Sequence, residues 1–257
     1  REEDAMATLM RSQRKKKSRR RAFYGPVAFL VACAALIFLM SIFFRVSVVE
    51  VQGNSYYTAQ EVQDAAGIVE GDNLFFINRF RVVSGIFARL PYIEDVSIKR
   101  YLPNKVVLTV NECKALGYVS VEGEAWVIDR SCRILTKASE EEREALIEIR
   151  GVTPLTTEIG KVFTTGDDDT GKLEYLTEIL DQLQERGLYG QVNYIDMTNL
   201  NSPTMGFLGR FTVKLGESGE TEYRLAKLLS AVSQLTEYDR GTIDVSYDGE
   251  QVVFSPF

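Results

Sequence analysis

Residues 23–44, FYGPVAFLVACAALIFLMSIFF, run for 22 positions without a charged side chain. At about 1.5 Å per helical residue such a run covers a hydrocarbon core of roughly 30 Å, so the sequence predicts a helix that crosses a bilayer once. The run separates two unlike halves. Residues 1–21 hold nine Lys or Arg against three acids, whereas the chain beyond holds 21 basic residues against 33 acids, a net charge of −12. Basic residues beside a first membrane helix are retained on the cytoplasmic side. Arg14, Lys15, Lys16, Lys17, Arg19, Arg20 and Arg21 are therefore the expected topology determinants, and everything after Arg45 is expected outside the cell. Tyr24 at one end and Phe43 and Phe44 at the other suit interfacial anchoring. A basic arm on an acidic body also has a competing reading as a nucleic-acid handle. Topology alone accounts for the charge, so no nucleic-acid partner is expected.

Two processing alternatives concern the same run. Leu30-Val31-Ala32-Cys33 resembles the box at which bacterial lipoproteins are cut and acylated, but cleavage there would leave eleven apolar residues where a polar linker is usual. A secretory signal has an apolar stretch of only about 7 to 15 residues followed by a small-residue exit site. No such site precedes Arg45. An uncleaved anchor is the favoured reading.

The chain has no histidine, which removes the commonest general base, the usual zinc sites and every Ser-His-Asp scheme. Its three cysteines are Cys33 in the anchor, Cys113 and Cys132. Cys113 and Cys132 could pair in an oxidising exterior, but a spacing of 19 residues does not place their Cβ atoms together, and free thiols are the plainer reading. Asp167-Asp168-Asp169 before Gly171 lacks the alternate ligands and the twelfth-position Glu of a calcium loop; acids there suit the start of a helix. Ser139-Glu140-Glu141-Glu142 reads as a capping box on a solvated turn. No Gly-Lys-Ser/Thr follows Gly160 or Gly166, so neither marks a phosphate loop, and Trp126 reads as core packing. No catalytic residue, metal or cofactor is expected.

After the anchor, a β-branched strand over 46–51 ends at Gly53-Asn54. Thr58-Ala59-Gln60-Glu61 is a capping box opening a helix through Ala66, with Gly67 placed to end it. A second helix over 79–89 repeats Phe80, Val83, Phe87 and Leu90 at helical spacing and stops at Pro91. Strands over 93–101 and 105–111 flank the turn Leu102-Pro103-Asn104. This β-α-α-β-β order makes a small sheet covered by two helices. From Ala115 short strands dominate, over 116–121, 124–129, 133–136, 146–150, 192–197 and 206–215, interrupted by amphipathic helices over 172–186 and 222–238. The expected fold class is α+β: a transmembrane helix over 22–44, a first exterior domain over 45–114, and a mixed-sheet domain with packed helices over 115–257.

The segment GTIDVSYDGEQVVFSPF, 241–257, reads as a hairpin about Asp248-Gly249, a favoured pair for a two-residue turn. That register sets Tyr247 opposite Glu250, Val245 opposite Val252 and Ile243 opposite Phe254. Ile243, Val245, Tyr247, Val252 and Phe254 then share one apolar face. Gln251 to Phe254 has no Lys or Pro to discourage a further strand from pairing at the outer edge.

Val49-Glu50-Val51-Gln52-Gly53-Asn54, then Leu90-Pro91-Tyr92-Ile93, Val96 through Asn104 and Val110-Asn111-Glu112, resemble the FtsQ-type POTRA domain. With the basic arm, the single anchor and the ending Ile243-Asp244-Val245-Ser246-Tyr247-Asp248-Gly249, nearly the whole chain is similar to the FtsQ/DivIB family of bacterial division proteins. Ala115, Cys132 and Ser246 depart from the family pattern, where Pro, Gly and Arg are frequent; Ser246 removes one expected salt bridge to a partner. The resemblance implies an elongated two-domain exterior and a non-enzymatic scaffold at the division septum. Its implied partners are FtsB/DivIC-like and FtsL-like bitopic proteins and, indirectly, the septal peptidoglycan synthase complex. It further implies that a partner strand adds to the terminal edge, with Tyr247, Gly249, Val252, Val253 and Phe254 as the contact residues. The alternative for Tyr247 and Phe254 is that they close the core. A proline at Val253 is expected to block the edge. Two other readings stay open: a transport-type POTRA protein, which would have several POTRA repeats and a β-barrel, and a membrane-anchored cell-wall hydrolase, which a cleavage assay would reveal.

Overall fold

A computed structural model describes residues 24–166 and 169–257. Arg14, Lys15, Lys16, Lys17, Arg19, Arg20 and Arg21 lie outside the described residues, as do Asp167 and Asp168 of the acidic run. The apolar run forms helix α1 (Tyr24–Phe43), long and apolar enough to cross a membrane and not buried against the rest of the chain.

Strand β1 (Val48–Gln52) runs parallel to β3 (Lys105–Glu112), which pairs antiparallel with β2 (Ile93–Tyr101) in a sheet of order β1-β3-β2. Helices α2 (Ala59–Ala66) and α3 (Arg79–Arg89) lie in the connection between β1 and β2. The capping box forms as expected: Glu61 N donates to Thr58 Oγ1 (3.3 Å) and Thr58 N donates to Glu61 Oε2 (2.8 Å), while Gly67 ends α2 in the left-handed region. The Asn104 carbonyl accepts from Ser47 N (2.9 Å) and Arg100 Nη2 donates to the Ile77 carbonyl (2.8 Å). The Arg100 to Asn104 motif thus ties β1 and the loop before α3 to the sheet.

The inward face of α3 differs from the expected one. Val82 and Ile86 are buried, whereas Phe80 is 81% exposed and Phe87 is also exposed. Gly85 sets this phase, because a Cβ there would stand 2.7 Å from the Ala65 carbonyl oxygen; α2 rests on α3 at the glycine. The face that contains Gly85 must turn inward, and Phe80 turns out.

The second unit is a nine-stranded mixed sheet of order β12-β11-β10-β9-β8-β7-β4-β5-β6. Its strands are β4 (Gly117–Val121), β5 (Glu124–Ile128), β6 (Ile134–Lys137), β7 (Ile147–Arg150), β8 (Val192–Asp196), β9 (Thr204–Phe207), β10 (Phe211–Lys214), β11 (Gly241–Asp244) and β12 (Val253–Pro256). β7 is parallel to β4 and β8, β10 is parallel to β11, and the other pairs are antiparallel. Helix α4 (Glu140–Glu144) is a short turn held by the Ser139 capping box. Helices α5 (Thr170–Glu185) and α6 (Thr221–Val232) pack on the sheet through Leu176, Ile179, Leu180 and Leu183 and through Leu225 and Leu228.

Two expected elements are shorter than the periodicity suggests. The single strand over 206–215 is a hairpin: Leu208 and Gly209 both take positive φ, and Arg210 N donates back to Phe207 O (3.2 Å). The helix over 222–238 stops at Val232, because the Asp239 carboxylate accepts from Thr236 N (2.7 Å) and Thr236 Oγ1 (2.8 Å) and folds the next turn on itself.

A buried seam of Tyr92, Cys113, Ala125, Val127, Leu135 and Ala138 joins the two units. Beside it the Glu112 carboxylate accepts from the backbone N–H groups of Ser55 (2.7 Å), Tyr56 (2.6 Å) and Tyr57 (3.0 Å). Arg130 bonds Glu94 (2.8 Å) and Arg133 Nη1 donates to the Ile93 carbonyl (3.2 Å). Cys113 and Cys132 are free and buried, and burial pushes both thiols up to about 12. Cys132 takes φ 59 in the turn closed by its N–H to Asp129 O (3.0 Å), a left-handed conformation that a glycine adopts at less cost. Trp126 is half-buried against the core of the second unit.

Candidate functional site

The sheet of the second unit has two borders. At β6 the border is covered: Ile134 N donates to Lys161 O (2.9 Å) and Gly160 N donates to Ile134 O (2.7 Å). At β12 the neighbour is β11, and among the described residues no strand pairs with the outer side.

The predicted register holds where the ladder exists, with Ile243 opposite Phe254 and Asp244 opposite Val253. The ladder then stops, and the expected two-residue turn is instead a loop over 245–252. Competing donors explain the opening. Val245 N stays on the β10 side, donating to Lys214 O (3.1 Å) as the parallel ladder continues, whereas Ser246 N, which would face β12, is diverted with its Oγ to Asp244 Oδ1 (3.1 and 2.6 Å). The Lys227 ammonium on α6 takes the carbonyls of Tyr247 (2.6 Å), Gly249 (3.0 Å) and Gln251 (3.4 Å). Those carbonyls therefore face the lysine rather than a partner across the hairpin, and Gly249 supplies the positive φ the loop needs.

Of the predicted contact residues, Val252, Val253 and Phe254 are half-buried and come together on β12 or at its entrance. Ile243 and Val245 are fully buried on the same core as Val252 and Phe254. Tyr247 departs from that face: it is 46% exposed in the loop, with Gly249 beside it. The Phe254 ring meets Phe211 edge-on at 6.2 Å and lies against Gly241, where a Cβ would stand 2.8 Å from Phe254 Cε2 and 2.3 Å from the Ser255 carbonyl oxygen. Phe254 thus contributes its ring to the core and its backbone to the border.

The direction of that backbone follows from one bond. Phe257 N donates to Arg240 O (3.1 Å), and alternate residues of an antiparallel strand bond to the same neighbour. Ser255 and Val253 therefore face β11, whereas Phe254 and Val252 direct N–H and C=O outward. Pro256 falls in the outward set, where a missing N–H costs the sheet nothing. The expected lesion at Val253 is corrected accordingly: a proline there would break the bond to β11, and Phe254 is the residue whose amide faces the open side.

Sequence reasoning missed Tyr223 and Lys227. Tyr223 is 42% exposed, and the buried Lys227 ammonium lies 5.3 Å from its ring centroid while bonding the loop that carries Tyr247. The available signal was a lysine between Leu225, Leu228 and Leu229 on an apolar helix face. The arrangement offers the outward main-chain groups of β12 next to a loop that carries the exposed Tyr247. Among the described residues no three His, Cys, Asp or Glu side chains come together as a metal-binding group.

Residues 44–112 match the family model described as the POTRA domain, FtsQ-type. The chain is 26% identical over 243 residues to the cell division protein DivIB of Clostridium botulinum strain Hall, covering 94% of this chain and 93% of that protein. It is 27% identical over 216 residues to DivIB of Clostridium tetani, covering 82% and 80%. A shorter similarity, 29% over 79 residues, covers 31% of this chain and 28% of the cell division protein FtsQ of Geotalea daltonii.

Proposed function

This chain belongs to the FtsQ/DivIB family of bacterial cell-division proteins, and we propose that within division it is a non-enzymatic bitopic scaffold that captures a partner strand on β12. In this reading residues 1–21 stay in the cytoplasm, residues 22–44 anchor the chain, and the domains over 45–114 and 115–257 work outside the membrane at the septum. The partners are FtsB/DivIC-like and FtsL-like bitopic proteins, through which the septal peptidoglycan synthase complex is reached indirectly. The observation that supports it is the outward N–H and C=O of Phe254 on a border that no other described strand occupies. Strand addition takes its affinity from such main-chain groups and its selectivity from the side chains beside them. Tyr247, Gly249, Val252, Val253 and Phe254 form the contact, and Tyr223 extends it.

The test separates backbone from side chain. Full-length chain in detergent is mixed with an FtsB/DivIC-like partner, and capture by Phe254→Ala is compared with capture by Phe254→Pro. The reading expects the alanine variant to retain part of its binding and the proline variant to lose it, with both keeping wild-type circular dichroism. Equal capture by the two variants would show that the outward amide makes no bond.

A further inference from the structure

Helix α1 does not end in a free linker. Within its last turn the Met40 carbonyl accepts from Asn73 Nδ2 (3.3 Å), and just beyond it Leu74 N donates to Phe44 O (2.8 Å) and Val46 N donates to Asp72 O (2.8 Å). Arg45 and Asn73 form a β-bridge, and the Phe44 ring packs edge-on against Phe75 with centroids 5.1 Å apart. These contacts fix the loop over 71–76 at the depth where the helix leaves the hydrocarbon.

At that depth the first exterior domain presents its largest apolar side chains outward. Phe75 is exposed, Phe76 is 81% exposed, and Phe80 projects from the first turn of α3 with Arg79 and Arg81, both exposed, on either side. Gly85 holds α3 in the phase that turns Phe80 away from the core, so the exposure is built into the packing. In water such a patch is unfavourable in proportion to its apolar area, and clustered apolar surface marks an interaction site. Aromatic rings with arginines beside them are the composition of a membrane interface, the rings entering the acyl boundary and the guanidinium groups meeting phosphates.

We propose that Phe75, Phe76 and Phe80 insert into the leaflet from which α1 emerges, with Arg79 and Arg81 on its anionic headgroups, so that the first exterior domain is seated on the bilayer. Lipid is favoured over a protein occupant by the hydrogen bond to Met40 and the Phe44–Phe75 contact, which place the patch at the bilayer surface whatever else is bound. Seating fixes how far and in which direction the second unit and its β12 border stand from the membrane.

The test uses the full chain, one copy per nanodisc so that no second copy can cover the patch, in a Trp126→Phe background. A single tryptophan is introduced as Phe76→Trp or Phe80→Trp, with Tyr238→Trp, a fully solvated site in the second unit, as reference. Both patch variants are expected to emit to the blue of the reference, to be quenched by phosphatidylcholine brominated near the glycerol end of its acyl chains, and to resist acrylamide several-fold better. In phosphatidylglycerol-containing discs, Arg79→Glu with Arg81→Glu is expected to weaken the bromolipid quenching. Acrylamide quenching equal to the reference with no response to bromolipid would overturn the seating. Unchanged quenching in the double arginine variant would overturn the headgroup contact.

Discussion

The Lys227 ammonium lies 2.6 Å from the Tyr247 carbonyl oxygen and holds the loop before β12 by that bond and two more. Lys227 is itself only 7% exposed. Lys227→Met keeps the length and apolar stem of the side chain while leaving three carbonyls without their donor. Charge-assisted bonds of this kind contribute roughly 1.5–3 kcal/mol, so urea unfolding should show a loss of that order. Amide exchange over 245–252 should rise in the same variant, and partner capture should fall. Unchanged exchange in the loop would refute the lysine's role in holding it.

Gly241 lets β12 lie flat on β11. In Gly241→Ala the new Cβ would meet the Ser255 carbonyl oxygen at 2.3 Å, a backbone atom that can give way only if the strand moves. We expect a cost of about 1–3 kcal/mol in urea titration and loss of the Phe211–Phe254 contact, seen as altered aromatic shifts. Retention of both wild-type stability and those shifts would contradict the packing described.

Glu112 gathers three backbone N–H groups from 55–57 and so fixes the loop that leads into α2 at the seam. In Glu112→Gln an amide NH₂ replaces one accepting oxygen and opposes a donor with a donor. A loss of roughly 1.5–3 kcal/mol is expected by chemical denaturation, larger than the effect of removing the solvent-screened Lys105–Glu50 pair.

Glu61 and Glu142 each accept the N–H of their own N-cap residue, Thr58 and Ser139, and these backbone bonds hold both carboxyls below the usual carboxylate range. A depressed folded pKa adds stability above the unfolded pKa and loses it as pH falls through the folded one. Denaturation midpoints should therefore drop on acidification below about pH 4, and Glu61→Gln with Glu142→Gln should flatten that drop. An identical acid slope in the double variant would show that the caps do not titrate with folding.

Local chemistry was readable where one short segment settles it. Thr58, Glu61 and Gly67 mark both ends of α2, and the uncharged run of 23–44 marks α1, because each signal and its structural consequence lie within a few residues. Distant contacts were not readable in this way. The period of α3 is legible but its phase is chosen by Gly85 meeting Ala65 of another helix. The terminal register follows from alternation, yet the loop is opened by Lys227, about twenty residues earlier, and the bonding parity that puts the open amide at Phe254 rather than Val253 depends on Arg240 meeting Phe257. In 204–214 an apolar run hides a turn at Leu208 and Gly209.

Amide hydrogen exchange at Phe254, read in full-length chain with and without an FtsB/DivIC-like partner, tests strand capture most directly. In the free protein the Phe254 amide should exchange quickly while those of Val253 and Ser255 are protected by β11, and the partner should slow Phe254 by about ten- to a hundredfold. A Phe254 amide that exchanges at the same rate in the bound and free protein would contradict the account.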